Sequence, residues 1–270
     1  MPFILSHAHS IDAALKKLNI FRPRQTDLAI IGSLLPDLEY TGLLPQAHER
    51  CLEFYEYLLT ADRDYAPLAL GMVGHVVYDR IIEPGYVDEK EAEALQILQE
   101  FYPQSTKIKW AAHTFVEQAM DMQVLRENPH LPQVLARANK RLQEEHIAQI
   151  AHHLSCFFDA DKKHLIDALH TVKTFDLSSI KNPRSISKLW LRCMFMMSNE
   201  HILQAHAQGP LARLKAAIRL GVSYSRFRMS HRLWHMFSHA RTRFNDHAPL
   251  RKKAINTLAV ELQKLVMRSL

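Results

Sequence analysis

The sequence predicts an all-α fold: a multi-helix bundle with a buried metal centre, continued by a basic helical C-terminal half. Three observations carry this reading. Apolar residues recur at helical spacing along most of the chain, and few segments show the β-branched alternation of a strand. Glycine is scarce, 7 in 270 residues. Two apolar helical stretches each carry a histidine and a carboxylate four residues apart.

In chain order, a first helix is expected from His7 to about Leu18. Ser6 reads as its N-cap, and Ile11, Ala14, Leu15 and Leu18 form its apolar stripe. His7 and His9 fall in its first turn. Asn19–Gln25, with Pro23, reads as a loop before the run TDLAIIGSLLPDLEY. Pro36 stops that run and biases Leu35 out of the helical region. Asp37 is therefore expected at a helix end on extended or turning backbone, from which a carboxylate can be aimed inward. A plain turn residue or N-cap is the alternative reading. After a loop over Thr41–Gln46, His48–Leu59 reads as a helix with His48 near its start, facing either a site or solvent.

The central stretch is Leu68–Pro84, LALGMVGHVVYDRIIEP. It is apolar almost all the way round, the pattern of a buried helix. Yet it places His75 and Asp79 on one face. Burying an imidazole and a carboxylate is costly unless each finds a partner. A divalent metal is one such partner, and this donor pair suits zinc, iron or manganese. Asp88–Phe101 reads as an acidic amphipathic helix with a solvated face. Lys109–Leu125 then repeats the central pattern, with His113, Glu117 and Asp121 at successive i, i+4 steps among apolar neighbours. Two such helices suggest a shared polar centre. The alternative is two core histidines, each hydrogen-bonded within its own helix.

Residues 132–158 are expected to form one further helix. From about residue 155 helices are expected at 161–175, 184–207, 210–220, 222–243 and 248–269. Within 222–243, His231, His235 and His239 share a helical face among arginines and aromatics. With no acidic partner nearby, this reads as a basic docking surface or a partly buried helix.

Charge divides the chain. Residues 1–150 carry 14 Lys and Arg against 21 Asp and Glu, a net −7; residues 151–270 carry 20 against 7, a net +13, giving +6 in all. The expected organisation is a metal-bearing region over 1–154 and a basic region over 155–270, packed as one unit. The basic half suits contact with a membrane surface or nucleic acid. The three cysteines are few, far apart and odd in number, which argues against a disulfide framework. No export signal and no transmembrane run is seen, so a cytoplasmic location is expected. Histidine is abundant at 17; His130, His146, His152, His153 and His164 read as surface residues. A Gly-rich phosphate loop, GxSxG and CxxC are absent from the sequence, so nothing supports a nucleotide-binding or serine-hydrolase reading.

His7, GSLLPD (32–37), GMVGHVVYD (71–79) and HTFVE (113–117) occur in an order that resembles the zinc-dependent phospholipase C superfamily, whose helical fold is shared by the single-strand-specific zinc nucleases. The resemblance covers roughly residues 1–125. It implies His7, Asp37, His75, Asp79, His113 and Glu117 as metal ligands, with His48, His9 and Asp121 as further ligands or their supports. The chain departs from that pattern at two points. It opens Met-Pro-Phe where the secreted enzymes carry a metal-binding Trp, and it has Glu83-Pro84-Gly85-Tyr86 where they carry a further His. One or two zinc ions are expected, with iron or manganese as alternatives. MPFILSHAH with GSLLPD also looks a little like the bacterial acyl-carrier-protein phosphodiesterases, which are helical and metal-dependent.

The function these readings imply is metal-dependent hydrolysis of an anionic phosphodiester by an activated water, with Asp37 orienting or deprotonating it. The alternative is a non-catalytic binding or scaffold protein that keeps a structural metal and docks anionic partners on its basic half. A helical domain with internal His–carboxylate hydrogen bonds is the third reading.

Overall fold

The computed structural model describes residues 4–101, 108–173 and 242–269, with single positions at 180 and 185. Among them there is no strand; the described chain is an all-α multi-helix bundle. The helices are α1 (Ile4–Leu18), α2 (Pro23–Gly32), α3 (Ala47–Ala61), α4 (Ala66–Ile82), α5 (Asp88–Phe101), α6 (Ile108–Glu127), α7 (Leu131–Asn139), α8 (Glu144–Phe158), α9 (Lys162–Lys173) and α10 (Ala248–Ser269). A 3-10 helix, Pro36–Thr41, lies between α2 and α3, and a π-helical turn, Glu83–Val87, joins α4 to α5. No helix among the described residues is long and apolar enough to cross a membrane.

Helix α4 is the axis of the bundle. It packs against α2 and α3, with α1 and α10 closing over it. Small residues set how closely these helices approach. A Cβ on Gly71 would fall 1.9 Å from the Ala29 carbonyl oxygen, and one on Gly32 would fall 1.9 Å from the Leu68 carbonyl oxygen. The two glycines thus let the α2 and α4 backbones touch. Gly74 leaves room for Ile11 of α1 and Leu258 of α10. Around this crossing the core is aliphatic, with Leu28, Ile30, Leu68 and Met72 fully enclosed.

The segment after α2 is amphipathic. Leu34, Leu35 and Leu38 line an apolar cavity with Leu135 of α7 and Leu169 of α9, while Asp37 points elsewhere. Asp27, wholly buried on α2, accepts hydrogen bonds from Arg137 Nε at 2.8 Å and Arg141 Nε at 3.2 Å. That pairing ties α2 to α7 and to the turn beyond it. Phe244 packs edge-on against Phe115 of α6, and the Tyr86 hydroxyl donates to Asp246 at 2.5 Å. Arg251 pairs with Glu127.

Several local expectations are corrected. Ser6 lies inside α1, not at its cap, because Asp121 of α6 accepts from the Leu5 and Ser6 amides and the Ser6 hydroxyl. Leu35 keeps helical backbone (φ −83, ψ −34) despite Pro36, since Pro36 opens the 3-10 helix that carries Asp37. The single helix expected over 132–158 is two, broken at 140–143, where Asn139 instead bonds the last carbonyls of α9 and Arg141 reaches Asp27. His153 is buried, not exposed: its Nε2 lies 3.2 Å from Asp62 and its ring sits against Tyr65. The helices expected at 184–207, 210–220 and 222–243, and the His231, His235 and His239 stripe, fall outside the described residues apart from 185, 242 and 243.

Candidate metal centre

Four elements bring donors to one buried point. α1 supplies His7, the 3-10 helix Asp37, α3 His48 and α4 both His75 and Asp79. His75 is fully enclosed, and His7, Asp37 and Asp79 are buried. The His75 Nε2 lies 3.0 Å from Asp79 Oδ2 and 3.6 Å from Asp37 Oδ1. The His7 Nε2 lies 3.5 Å from Asp79 Oδ1. The His7 and His75 rings stack with centroids 3.7 Å apart and planes 17° from parallel. His48 meets His75 edge-on at 5.3 Å. Ligand atoms of His7, Asp37 and His75, and again of His48, His75 and Asp79, all fall within 4.8 Å of one another.

Outer partners fix which ring nitrogen faces this point. The His75 Nδ1 lies 2.7 Å from the Ser33 carbonyl oxygen, which can only accept. Nδ1 therefore carries the proton and Nε2 is turned to the carboxylates. The His48 Nδ1 and backbone N–H both reach Glu39 Oε2, at 2.7 and 2.9 Å. A carbonyl or carboxylate behind an imidazole is the usual support of a metal-binding histidine.

The electrostatics follow from crowding. Burial, and then the neighbouring His75, push His7 down to about 3. Burial acts against His75 as well, but the Asp79 and Asp37 carboxylates and the Ser33 carbonyl lift it to about 9. Burial disfavours ionised Asp37 and Asp79 too. Facing positive charge outweighs it and both stay below their ordinary value; at neutral pH the charge that faces them within the cluster is on His75. At neutral pH the stacked rings thus share one positive charge beside two carboxylates. The buried cluster keeps a net negative charge, a setting that favours a cation.

His113 and Glu117 form a second, adjoining cluster on α6. The His113 Nε2 lies 3.4 Å from Glu117 Oε1 and 3.9 Å from Glu83 Oε1 at the end of α4. The hydrogen bond to Glu117, resisted by burial, raises His113 to about 9. Burial, then the Asp79 carboxylate, raises Glu83 to about 7, and burial raises Glu117. Asp79 and Asp37 thus act on this second group, so the two clusters share one field.

The other candidates lie elsewhere. Asp121 is held at the N-terminus of α1, where its oxygens accept three hydrogen bonds; it orients the helix that carries His7. His9 points away from His7, into the field of Arg251, Asp12, Glu127 and His130, and burial with Arg251 lowers it to about 4. Three contributors escape sequence reasoning. Ser33 acts through its backbone carbonyl, which leaves no trace in side-chain pattern. Glu39 is set by the 3-10 helix. Glu83 alone had a signal, the i, i+4 ladder His75, Asp79, Glu83.

No protein-family model, no curated protein and no solved structure matches this chain.

Proposed function

We propose that this chain is a metal-dependent phosphoesterase that hydrolyses a phosphodiester. The observation that carries the reading is the convergence of His7, Asp37, His48, His75 and Asp79 from four elements on one buried, net-negative point. The donor set of imidazoles and carboxylates fits zinc, with iron or manganese as alternatives. His7, Asp37, His75 and Asp79 would hold the ion, with His48 beside them. His113 and Glu117 would extend the centre on α6.

A divalent ion there would polarise a phosphoryl oxygen and bring the pKa of a coordinated water toward neutrality. Asp37 is the carboxylate suited to orient or accept a proton from that water: it stays ionised and sits on a short 3-10 helix anchored by Leu35 and Leu38. The Tyr40 ring, 67% exposed and 5.4 Å from His48, stands at the rim where a substrate would enter. The phosphodiester's class is a phospholipid, a nucleic acid or a phosphopantetheine linkage. The positive charge of residues 151–270 suits an anionic substrate or surface.

The test is elemental analysis of the purified protein and of His75→Ala, followed by phosphodiester hydrolysis with and without chelator. Bound metal that is lost in the variant, with turnover that chelator abolishes, is the expected result. Absence of stoichiometric metal, with His75→Ala only less stable, would overturn the proposal and favour a helical domain whose His–carboxylate pairs are internal hydrogen bonds.

A further inference from the structure

Helix α4 carries its polar ladder one step past Asp79. Glu83 follows four residues on with helical backbone (φ −59, ψ −62), so its carboxylate stays on the face of His75 and Asp79. The π-helical turn that begins there then resets the register for α5. Such turns are rare and concentrate at functional positions. Opposite Glu83, α6 presents His113 and Glu117, and ligand atoms of the three fall within 4.8 Å of one another. Glu117 is 5% exposed, and its Oε2 makes no hydrogen bond among the described residues. Asp88 Oδ1 stands 4.0 Å from the His113 Nδ1, behind the ring.

The two donor groups differ in kind. Around His75, each triad of ligand atoms holds two imidazole nitrogens and one carboxylate oxygen. Around His113 there are two triads, the half-buried Glu83, His113 and Glu117 and the more exposed Asp88, Glu91 and His113, and each holds one nitrogen and two oxygens. Imidazole suits zinc, whereas carboxylate suits manganese and magnesium. Intrinsic affinity still favours zinc over manganese at any single site, so the contrast lies in how strongly each position prefers zinc.

We propose that the centre is an unequal pair: a nitrogen-rich position at His7, Asp37, His48, His75 and Asp79 that selects zinc, and an oxygen-rich position at Glu83, His113 and Glu117 that accepts manganese. This rests on the metal-centre reading above. It assigns Glu83 as the ligand that makes the second position hard.

The experiment uses the full chain stripped of metal. It is loaded with zinc, then challenged with excess manganese, and read by elemental analysis and by manganese paramagnetic resonance. The expected result is one zinc ion that resists exchange and a second position that fills with manganese and gives a protein-bound signal. Glu83→Ala should lose the bound manganese signal and keep the resistant zinc. Glu83→His should restore a second metal but as zinc, with the manganese signal gone. Circular dichroism checks that both variants fold; Glu83 is partly exposed at a helix end, so neither change opens the core. Two zinc ions that exchange alike, a second position that never fills, or a Glu83→His protein indistinguishable from the parent would each overturn the inference. None of these touches the phosphoesterase reading, which fails separately if the nitrogen-rich position holds no metal.

Discussion

The His75 imidazole donates its Nδ1–H to the Ser33 carbonyl oxygen at 2.7 Å, across the close approach of α2 and α4. The bond exists because Gly32 and Gly71 let α2 and α4 touch. Ser33 is the residue after Gly32, and His75 lies one turn beyond Gly71. Backbone packing therefore decides which nitrogen of His75 faces the carboxylates.

Gly71→Ala is the direct test of that dependence. Its Cβ would meet backbone atoms of α2, which cannot move aside as a side-chain end can. Overpacking of this kind costs about 1–3 kcal/mol. The variant should lose stability in urea denaturation and also hold zinc more weakly, because Ser33 and His75 are pushed apart. Gly85→Ala is the control: the nearest atom to its Cβ is a Leu250 side-chain methyl at 3.1 Å. Wild-type zinc affinity in a destabilised Gly71→Ala would break the proposed link.

Glu39 should separate binding from stability. It is part-exposed and touches the site only through His48. Loss of such an outer partner typically lowers metal affinity 10- to 100-fold. Glu39→Ala is expected to show a loss of that size in a competitive zinc titration. Its unfolding free energy should change by less than about 1 kcal/mol. A large stability loss with unchanged affinity would make Glu39 a structural residue instead.

The fold was legible where periodicity is strong. The expected α5 coincides with Asp88–Phe101, and the central helix differs only by a residue or two at each end. The His–carboxylate steps on α4 and α6 were visible because a helix fixes which residues share a face. What escaped was tertiary. Ser6 looks like a cap in sequence, but a carboxylate 115 residues away does the capping. Pro36 forbids nothing when a 3-10 helix can start on it. The break at 140–143 depends on Asn139 and Arg141 finding partners on α9 and α2. His153 reads as polar surface until Asp62 and Tyr65 enclose it. That His113 groups with Glu83, apart from the His75 cluster, depends on how α6 packs against the end of α4, which no local pattern announces.

Acid should destabilise the protein through His247. It is 1% exposed and its Nε2 lies 3.1 Å from Arg251. Burial, then Arg251, lowers it to about 4, while Glu127 and Asp246 act weakly the other way. Between about 6.5 and 4 the unfolded chain binds a proton that the folded state refuses. Stability present above pH 6.5 is therefore lost as pH falls toward 4, by up to about 3 kcal/mol from this residue. Asp121 has the opposite sign. Burial raises it to about 7, so it holds a proton the unfolded chain has released, and stability falls as pH rises from about 4 to 7. Unfolding free energy across this window should gain a shallower acid limb in His247→Gln, which keeps an acceptor for Arg251 but does not titrate. Asp121→Asn should remove the opposing slope. Parallel profiles for all three proteins would contradict both assignments.

Metal uptake at the nitrogen-rich position should release a proton, and His75 is its source. At neutral pH His75, lifted to about 9, is protonated at both nitrogens, while His7, pushed down to about 3, is already neutral. Asp37 and Asp79 are held ionised and have no proton to give. An ion bound to the His75 Nε2 must displace the proton there, whereas the Nδ1–H stays on Ser33. Competition with one proton strengthens apparent affinity about tenfold per pH unit, equivalent to about 1.4 kcal/mol, until pH passes the His75 value. Zinc affinity should therefore rise steadily from pH 7 toward about 9 and then level. Calorimetric titration in buffers of different ionisation enthalpy measures the released proton directly. Near pH 7, uptake of the exchange-resistant zinc should release close to one proton. A flat pH profile with no proton released would mean that His75 keeps its proton and does not bind the ion.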